Sequence, residues 1–280
     1  MSKRPRLATA IRLTITAFRR DDGARFGAAL AFYIVFSLAP MLLFAIAIAR
    51  HLLGRGDYAQ QEILDRIGVS IGSAASIAIA EMLRDSAPHV GWLPTILGLS
   101  TLYFGLSGVY RQIDDALRRI WREEPAEDVG IIRRVEKKLM SMLLVASVGG
   151  IVLLSIVADA AIAIMARYAA SRLVGGAALW QVLQLLISTL VLGVLFAAVF
   201  RHLPQVRQTW SDVRLGAALT AALFVIGKFA LGIYLLKAAI GSAYGAAGSI
   251  IVVLLWSYWS AQIFFIGLEF THVYAQERVP

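Results

Sequence analysis

The stretch WSYWSAQIFFIGLEF, residues 256–270, decides the fold. It is mostly apolar and aromatic, yet it carries Gln262 and Glu269 seven residues apart. Seven residues at about 100° each amount to about 700°, within about 20° of two full turns, so both side chains lie on one face of a helix. A helix this apolar, with an amide and a carboxylate on one stripe, is typical of a membrane span that carries polar groups.

The composition of the whole chain favours the same class. Of its 280 residues, 59% are hydrophobic and 16% are charged, whereas a soluble domain has about 45–50% apolar and about 25% charged residues. The chain has no cysteine, which excludes disulfides, thiolate chemistry and cysteine-based metal or iron–sulfur sites. The formal net charge of +9 is typical of basic cytoplasmic loops in a membrane protein.

Six apolar stretches are long enough to cross a bilayer, which takes about 20 residues. Their apolar residues run continuously, without the period-two alternation of an outer-membrane barrel. We therefore predict an all-α, polytopic membrane protein whose transmembrane domain covers residues 27–274 and precedes a cytoplasmic tail at 275–280. The predicted spans are 27–49, 92–110, 139–166, 178–200, 213–237 and 247–274.

Two further segments are predicted to be amphipathic. Residues 1–26 hold seven basic residues, and Leu7, Ile11, Ile15 and Phe18 recur at helical spacing. This pattern predicts a basic helix that lies on the membrane surface and binds anionic lipid. Between the first two spans, residues 63–83 alternate apolar groups with glycine and serine, which indicates a periplasmic amphipathic or re-entrant segment.

The distribution of lysine and arginine predicts the orientation, because cytoplasmic loops are enriched in both. Residues 1–26 contain seven, 111–138 eight and 201–214 three, a total of eighteen. On the opposite side, 50–91 contains four and 167–177 two, a total of six. We therefore expect a multi-pass membrane protein with both termini in the cytoplasm.

Charged residues inside a span are costly, so each is a candidate functional residue. Lys237 lies at an outer end, where it can reach the interface. From the centre of its own span, at about 1.5 Å per residue, Asp159 lies about 10 Å outward, Lys228 about 4 Å outward and Glu269 about 12 Å inward. Lys228 therefore pairs best in depth with Asp159, and Gln262 near the midplane lies within reach of Lys228.

At the cytoplasmic side, Glu269 matches the depth of Arg111. Two interpretations of these groups stay open: they fasten the helices together through buried pairs worth about 1 kcal/mol or less each, or they line a polar pathway. The candidate residues of such a pathway are Lys228, Asp159, Gln262, Glu269, Arg111, Tyr33 and Tyr234.

Motifs for chemistry are missing from the sequence. Its four histidines are scattered along the chain, and there is no HExxH, no GxxxxGK[ST] and no GxSxG. We therefore expect no metal site, no nucleotide-driven motor, no cofactor and no enzymatic activity. Segment 111–138 nets only +1, short of the uncompensated basic patch that nucleic acid requires. We expect membrane lipids and no nucleic acid as partners, and a homo-oligomer stays open.

Four motifs follow one another along the chain: ALAFYIVFSLAPML (29–42), ALRRIW (116–121), HLP (202–204) and AYGAAGSIIVVLLWSYWSAQIFFIGLEF (243–270). Through these motifs the sequence resembles the YihY/BrkB family of bacterial inner-membrane proteins, over about residues 20–275. Arg118 departs from the family, whose members often have asparagine there. The resemblance implies six membrane helices with both termini cytoplasmic. It also implies links to virulence-related resistance and to transport of lipid or other envelope material.

These observations lead to one functional hypothesis and two alternatives. The first is transport or translocation of a lipid or other envelope-related solute, without an ATPase of its own. The alternative is a non-transporting membrane scaffold or envelope-assembly factor. A ribonuclease ranks last: the family's old label, ribonuclease BN, is a misassignment in our interpretation, because the sequence lacks both a metal constellation and an RNA-binding patch.

Overall fold

The computed structural model describes residues 7–53, 77, 80, 92–122, 176–202, 209–238 and 246–276. Six helices account for nearly all of them, and no strand occurs within these ranges. The predicted all-α class is thereby confirmed. The helices are α1 (Leu7–Arg20), α2 (Gly23–Leu53), α3 (Trp92–Trp121), α4 (Gly176–His202), α5 (Trp210–Ala238) and α6 (Ala246–Gln276).

Helices α2 to α6 each contain one of the predicted spans, while α1 covers most of the predicted amphipathic segment. Among the described helices, two are long and apolar enough to cross a membrane, Val213–Leu235 and Ile250–Gln276, and Gly23–Leu38 and Leu185–Arg201 are shorter apolar stretches. The predicted span 139–166 lies outside the described residues, as does all of segment 63–83 except residues 77 and 80. The count of six spans and the domain limits stay predictions.

Helix α6 lies at the centre of the described bundle. It packs against both α2 and α5, while α3 packs on α2, α4 packs on α5, and α1 packs on the C-terminal part of α6. The largest buried cluster draws side chains from all five long helices, including Leu30, Ile120, Phe200, Val213 and Phe265. A central helix that is apolar around most of its circumference is what such burial requires.

Aromatic rings link four of these helices in one continuous row. Phe26 of α2 contacts Phe265 of α6 at a centroid distance of 6.2 Å, and the neighbouring Phe264 contacts Phe200 of α4 at 5.6 Å. The row continues from Phe200 through Phe196 and Phe224 to Trp256. Tilted and edge-to-face pairs at these distances each add about 0.5–1.5 kcal/mol beyond their buried area.

Small residues let α5 and α6 approach closely. Each helix carries a glycine followed four residues later by a threonine, Gly216 with Thr220 and Gly267 with Thr271, and each threonine hydroxyl donates to the carbonyl of its own glycine at 2.7–2.8 Å. Each threonine also lies directly over the glycine of the other helix. Both threonines are completely buried, so the pattern is a reciprocal small-residue contact of the kind that brings membrane helices together.

Helix α1 has two distinct faces. Ala10, Thr14 and Ala17 are buried, and Ala10 packs with Phe270 and Tyr274 of α6. Two residues of the predicted membrane-facing stripe, Ile11 and Ile15, are exposed. The small residues therefore dock the helix on α6, and the larger apolar residues stay available to a bilayer surface.

Candidate functional site

The α1–α2 turn forms the centre of a polar cluster at the C-terminal end of α6. Asp22, in the turn that follows α1, has a left-handed backbone (φ 57°), a conformation that aspartate tolerates better than most residues. The Asp22 carbonyl then accepts the first backbone bonds of α2, from Arg25 and Phe26. The Asp22 side chain binds Arg119 of α3 at 2.9 Å, and this turn directs the preceding Asp21 into the protein.

Asp21 and Glu269 are the buried acids of this cluster. Asp21 is 7% exposed and Glu269 is 1% exposed. Asp21 binds the Arg20 guanidinium in two-point geometry, at 3.0 and 2.7 Å. That carboxylate raises the pKa of Arg20 above its ordinary value, chiefly through the hydrogen bond, so Arg20 is a permanent cation beside the cluster.

Glu269 lies next to Asp21 and within the field of Arg20. Among the described residues, neither carboxylate oxygen of Glu269 has a hydrogen-bond donor. Asp21 could not serve as one while ionised, because a carboxylate accepts and does not donate. A buried oxygen without a donor costs about 1–3 kcal/mol, and more when charged, so this carboxyl group is the most unusual polar group of the described bundle.

Two more titratable groups border the cluster. His272, one turn after Glu269, is buried and contacts the Trp121 ring edge-to-face at 5.1 Å. Arg122, directly after α3 and with a φ of 51°, acts electrostatically on His272. The cluster therefore joins α1, α2, α3 and α6. No group of three or more histidine, aspartate or glutamate side chains with metal-binding geometry occurs among the described residues.

The predicted pathway residues fall at separate places. The pairing of Glu269 with Arg111 is wrong: its charged neighbours are Asp21 and Arg20, and Arg111 is exposed. The reason is the position of α1, which packs on the end of α6 where α3 was expected. Depth along a span cannot reveal which neighbour occupies a given side of a helix.

Gln262 also has a partner that its depth did not indicate. Its amide donates to the Ala24 carbonyl of α2 at 3.2 Å and lies over Gly27, where a β-carbon would overlap it. Lys228 instead lines a small cleft of about 10 Å³ with Trp256, Trp259 and Ser260. That volume is at the lower limit for a single water molecule, so the cleft fits side-chain packing better than a solute.

The remaining candidates do not join this cluster. Tyr33 lies between α2 and α3, where its ring covers Gly108, and Tyr234 is exposed on α5. Asp159 lies outside the described residues. The role of all seven residues in a pathway stays a prediction.

A groove between α4 and α5 was not expected from the sequence. Its volume is about 620 Å³, within the range of small-molecule sites. Apart from Thr189 and Arg214, its walls are apolar or glycine, and small residues of α5 such as Ala217 and Ala218 form part of its floor. Trp210 and Arg214 mark one end, and Trp210 carries the Arg201 guanidinium on its ring at 4.2 Å.

Arg201 is the second unusual polar group. Its Nη1 atom is buried and has no acceptor among the described residues. A cation on an aromatic face with an unused donor is a ready partner for an anion. The signal was present in the sequence as the short basic loop 201–214, but charge counting could assign it only to a side of the membrane.

Comparison with known proteins gives a consistent family. The sequence matches the family described as Virulence factor BrkB over residues 14–280. It is 27% identical to a UPF0761 membrane protein of Azotobacter vinelandii, over 90% of this chain and 60% of that protein. It is 24% identical to the inner membrane protein YhjD of Escherichia coli, over 94% of this chain and 80% of that protein.

The chain spans about 57–60% of the length of the first three curated relatives that it matches. No solved structure matches it. The family match covers nearly the whole chain, and the relatives are named as membrane proteins. These matches and the long apolar helices show that the chain is an integral membrane protein of the virulence factor BrkB family.

Proposed function

We propose that this protein binds and translocates a lipid or another amphipathic envelope constituent in the bacterial inner membrane, without an ATPase of its own. The groove between α4 and α5 is the observation that carries the proposal. It combines an apolar wall with a basic, aromatic end, which is the pattern that an acyl chain attached to an anionic headgroup requires.

The dimensions of the groove support this ligand class. Its lining on α5 runs from Trp210 to Ala221, which are eleven residues apart and so about 16 Å along a helix. Half the hydrocarbon core of a bilayer is about 15 Å. One acyl chain of one leaflet therefore fits along the groove, with its headgroup at the Trp210 end.

The charges at that end support an anionic headgroup. Arg214 lines the groove and Arg201 lies on Trp210 with a donor unused. Guanidinium groups bind phosphate oxygens through directed hydrogen bonds. In the orientation predicted from lysine and arginine counts, this end faces the cytoplasm, so the groove would load lipid from the inner leaflet.

The test uses the full chain in proteoliposomes that contain a fluorescent anionic phospholipid. We expect Ala218→Phe to block the groove and to reduce both lipid binding, measured by native mass spectrometry, and transbilayer movement of the label. Ala230→Phe is the matched control, since Ala230 is also exposed on α5 but does not line the groove. Equal loss in both variants, or no loss in Ala218→Phe, would refute the groove as the lipid site.

Charge variants distinguish recognition of the lipid headgroup from recognition of the acyl chain. Arg214→Gln should weaken binding of anionic lipid more than binding of zwitterionic lipid. Lys237→Gln, exposed at the opposite end of α5 and outside the groove, should not discriminate between the two lipids. A photocrosslinking group can also be placed at position 218. If it reacts with residues 139–166 of the same chain and not with lipid, the proposal is contradicted. Lipid binding without any movement would favour the scaffold alternative.

A further inference from the structure

We propose that Asp21 and Glu269 form a proton-binding site, and that the bound proton holds the α1–α2 turn against α6. The ligand is one proton shared between two carboxyl groups. The inference is independent of the lipid groove, which lies between other helices.

Burial is the first observation that supports the site. Glu269 is among the largest completely buried side chains of the described bundle, and neither of its oxygens meets a donor there. Removing an unpaired carboxylate from water is far more costly than removing a neutral carboxylic acid. Protonation removes that charge and gives Glu269 one hydrogen to donate.

The neighbouring carboxylate supplies the acceptor. Asp21 lies within hydrogen-bonding reach of Glu269. The charge of Asp21 is already neutralised by the two hydrogen bonds from Arg20. Two carboxylates that share a site cannot both ionise without repulsion. One proton between them turns the repulsive pair into a hydrogen bond that crosses from α6 to the α1–α2 turn.

The other charged groups around the site leave this assignment intact. Arg20, the last residue of α1, is paired with Asp21. His272 lies on α6, and Arg122 of α3 acts on it. From the α1–α2 turn and the start of α2, Asp22 and Arg25 pair with each other, and Asp22 also pairs with Arg119 of α3. On the α5 side, Gly216 and Thr220 face this part of α6 and carry no charge.

Loss of the proton should loosen the contact. The proton passes to water, and no bond between heavy atoms forms or breaks. Two negative charges then lie side by side in a buried site, and the one guanidinium of Arg20 is already bonded to Asp21. We expect the α1–α2 turn to move away from α6, exposing the Ala10 face of α1.

Infrared spectroscopy of the full chain in lipid vesicles tests the proton directly. At neutral pH we expect the carbonyl stretch of a protonated carboxylic acid, shifted by ¹³C-glutamate labelling of the wild type and lost in Glu269→Gln. Asp21→Asn should also weaken the band, since it frees Arg20 and provides an amide donor for ionised Glu269. Asp114→Asn, whose aspartate binds Arg118 on α3 at 2.9 Å, should leave it unchanged.

Thiol labelling tests the movement, and the absence of cysteine from the sequence removes any background. Ala10 is completely buried and Ile11 is exposed. We take the ratio of the labelling rate of Ala10→Cys to that of Ile11→Cys, because the ratio cancels the pH dependence of the labelling reaction itself. We expect this ratio to rise several-fold from neutral to alkaline pH, and to stay constant when Glu269→Gln is added. A wild type without a glutamate-sensitive band, or with a constant ratio, would overturn the proposal.

Discussion

Adding one methyl group at Gly267 should destabilise the bundle, because Thr220 of α5 lies directly over this glycine. A β-carbon built there overlaps the Thr220 hydroxyl and comes to 2.9 Å from the Thr220 β-carbon and 3.0 Å from its methyl group. Thr220 is completely buried and its hydroxyl is held by the Gly216 carbonyl at 2.7 Å, so the side chain cannot simply turn away.

The expected magnitude follows from the cost of overpacking. Forced insertion of a methyl group into a packed core costs about 1–3 kcal/mol. We expect Gly267→Ala to lower the free energy of unfolding by this amount, measured by SDS-induced unfolding in mixed micelles with tryptophan fluorescence. Gly232→Ala is the matched control, since an added β-carbon there meets nothing within 4 Å. It should be neutral or should stabilise by up to about 1 kcal/mol.

A double-mutant cycle makes the prediction specific to the contact. Thr220→Gly removes the overlapping atoms and has a cost of its own, because a completely buried side chain is lost and a cavity is left behind. The double variant should be more stable than the sum of the two single effects predicts, by most of the overpacking cost. If the two effects simply add, or if Gly267→Ala is as harmless as Gly232→Ala, then the reciprocal glycine–threonine contact does not hold α5 and α6 together.

Three further predictions concern the other contacts of the bundle. Phe200→Ala should lower the free energy of unfolding by about 3–5 kcal/mol, because this ring is completely buried and links Phe196 to Phe264; a loss below 1 kcal/mol in the same assay would argue against the aromatic row. Asp22→Asn should change the unfolding free energy by less than about 1 kcal/mol, since its partner Arg119 is 43% exposed and asparagine keeps the left-handed turn. A cost of several kcal/mol would show that the ion pair is essential. Gly108→Ala should destabilise the bundle more than Gly27→Ala, because the added methyl group meets the rigid Tyr33 ring at position 108 and only the flexible end of the Gln262 side chain at position 27. If Gly27→Ala has the lower SDS unfolding midpoint of the two, this reasoning is contradicted.

The helices themselves could be predicted from the sequence. Apolar runs of span length have few conformational options in lipid, since every backbone group must be satisfied within the chain. The predicted stretch 213–237 therefore became α5 at Trp210–Ala238, and 247–274 became α6 at Ala246–Gln276. The amphipathic segment near the N-terminus likewise became α1.

Side-chain partners could not be predicted in the same way. Asp21 and Glu269 lie 248 residues apart, and their proximity depends on α1 packing along α6 through Ala10 and the sharp turn at Asp22. Depth along a span constrains one coordinate of a residue and leaves its direction around the helix open. Gln262 illustrates this: the sequence predicts it within reach of Lys228, whereas the structure places it against Ala24 and Gly27 at the start of α2.

In the stretch 256–270, the sequence and the tertiary structure determine different properties of the same helix. By itself, the sequence determined that this segment is a membrane helix with Gln262 and Glu269 on one stripe, because hydrophobicity and the helical period are local properties. Only the tertiary structure decided that Gln262 binds a backbone carbonyl and that Glu269 meets a second carboxyl group. The physical reason is that hydrogen bonds act over about 3 Å, so their partners are set by how the helices pack.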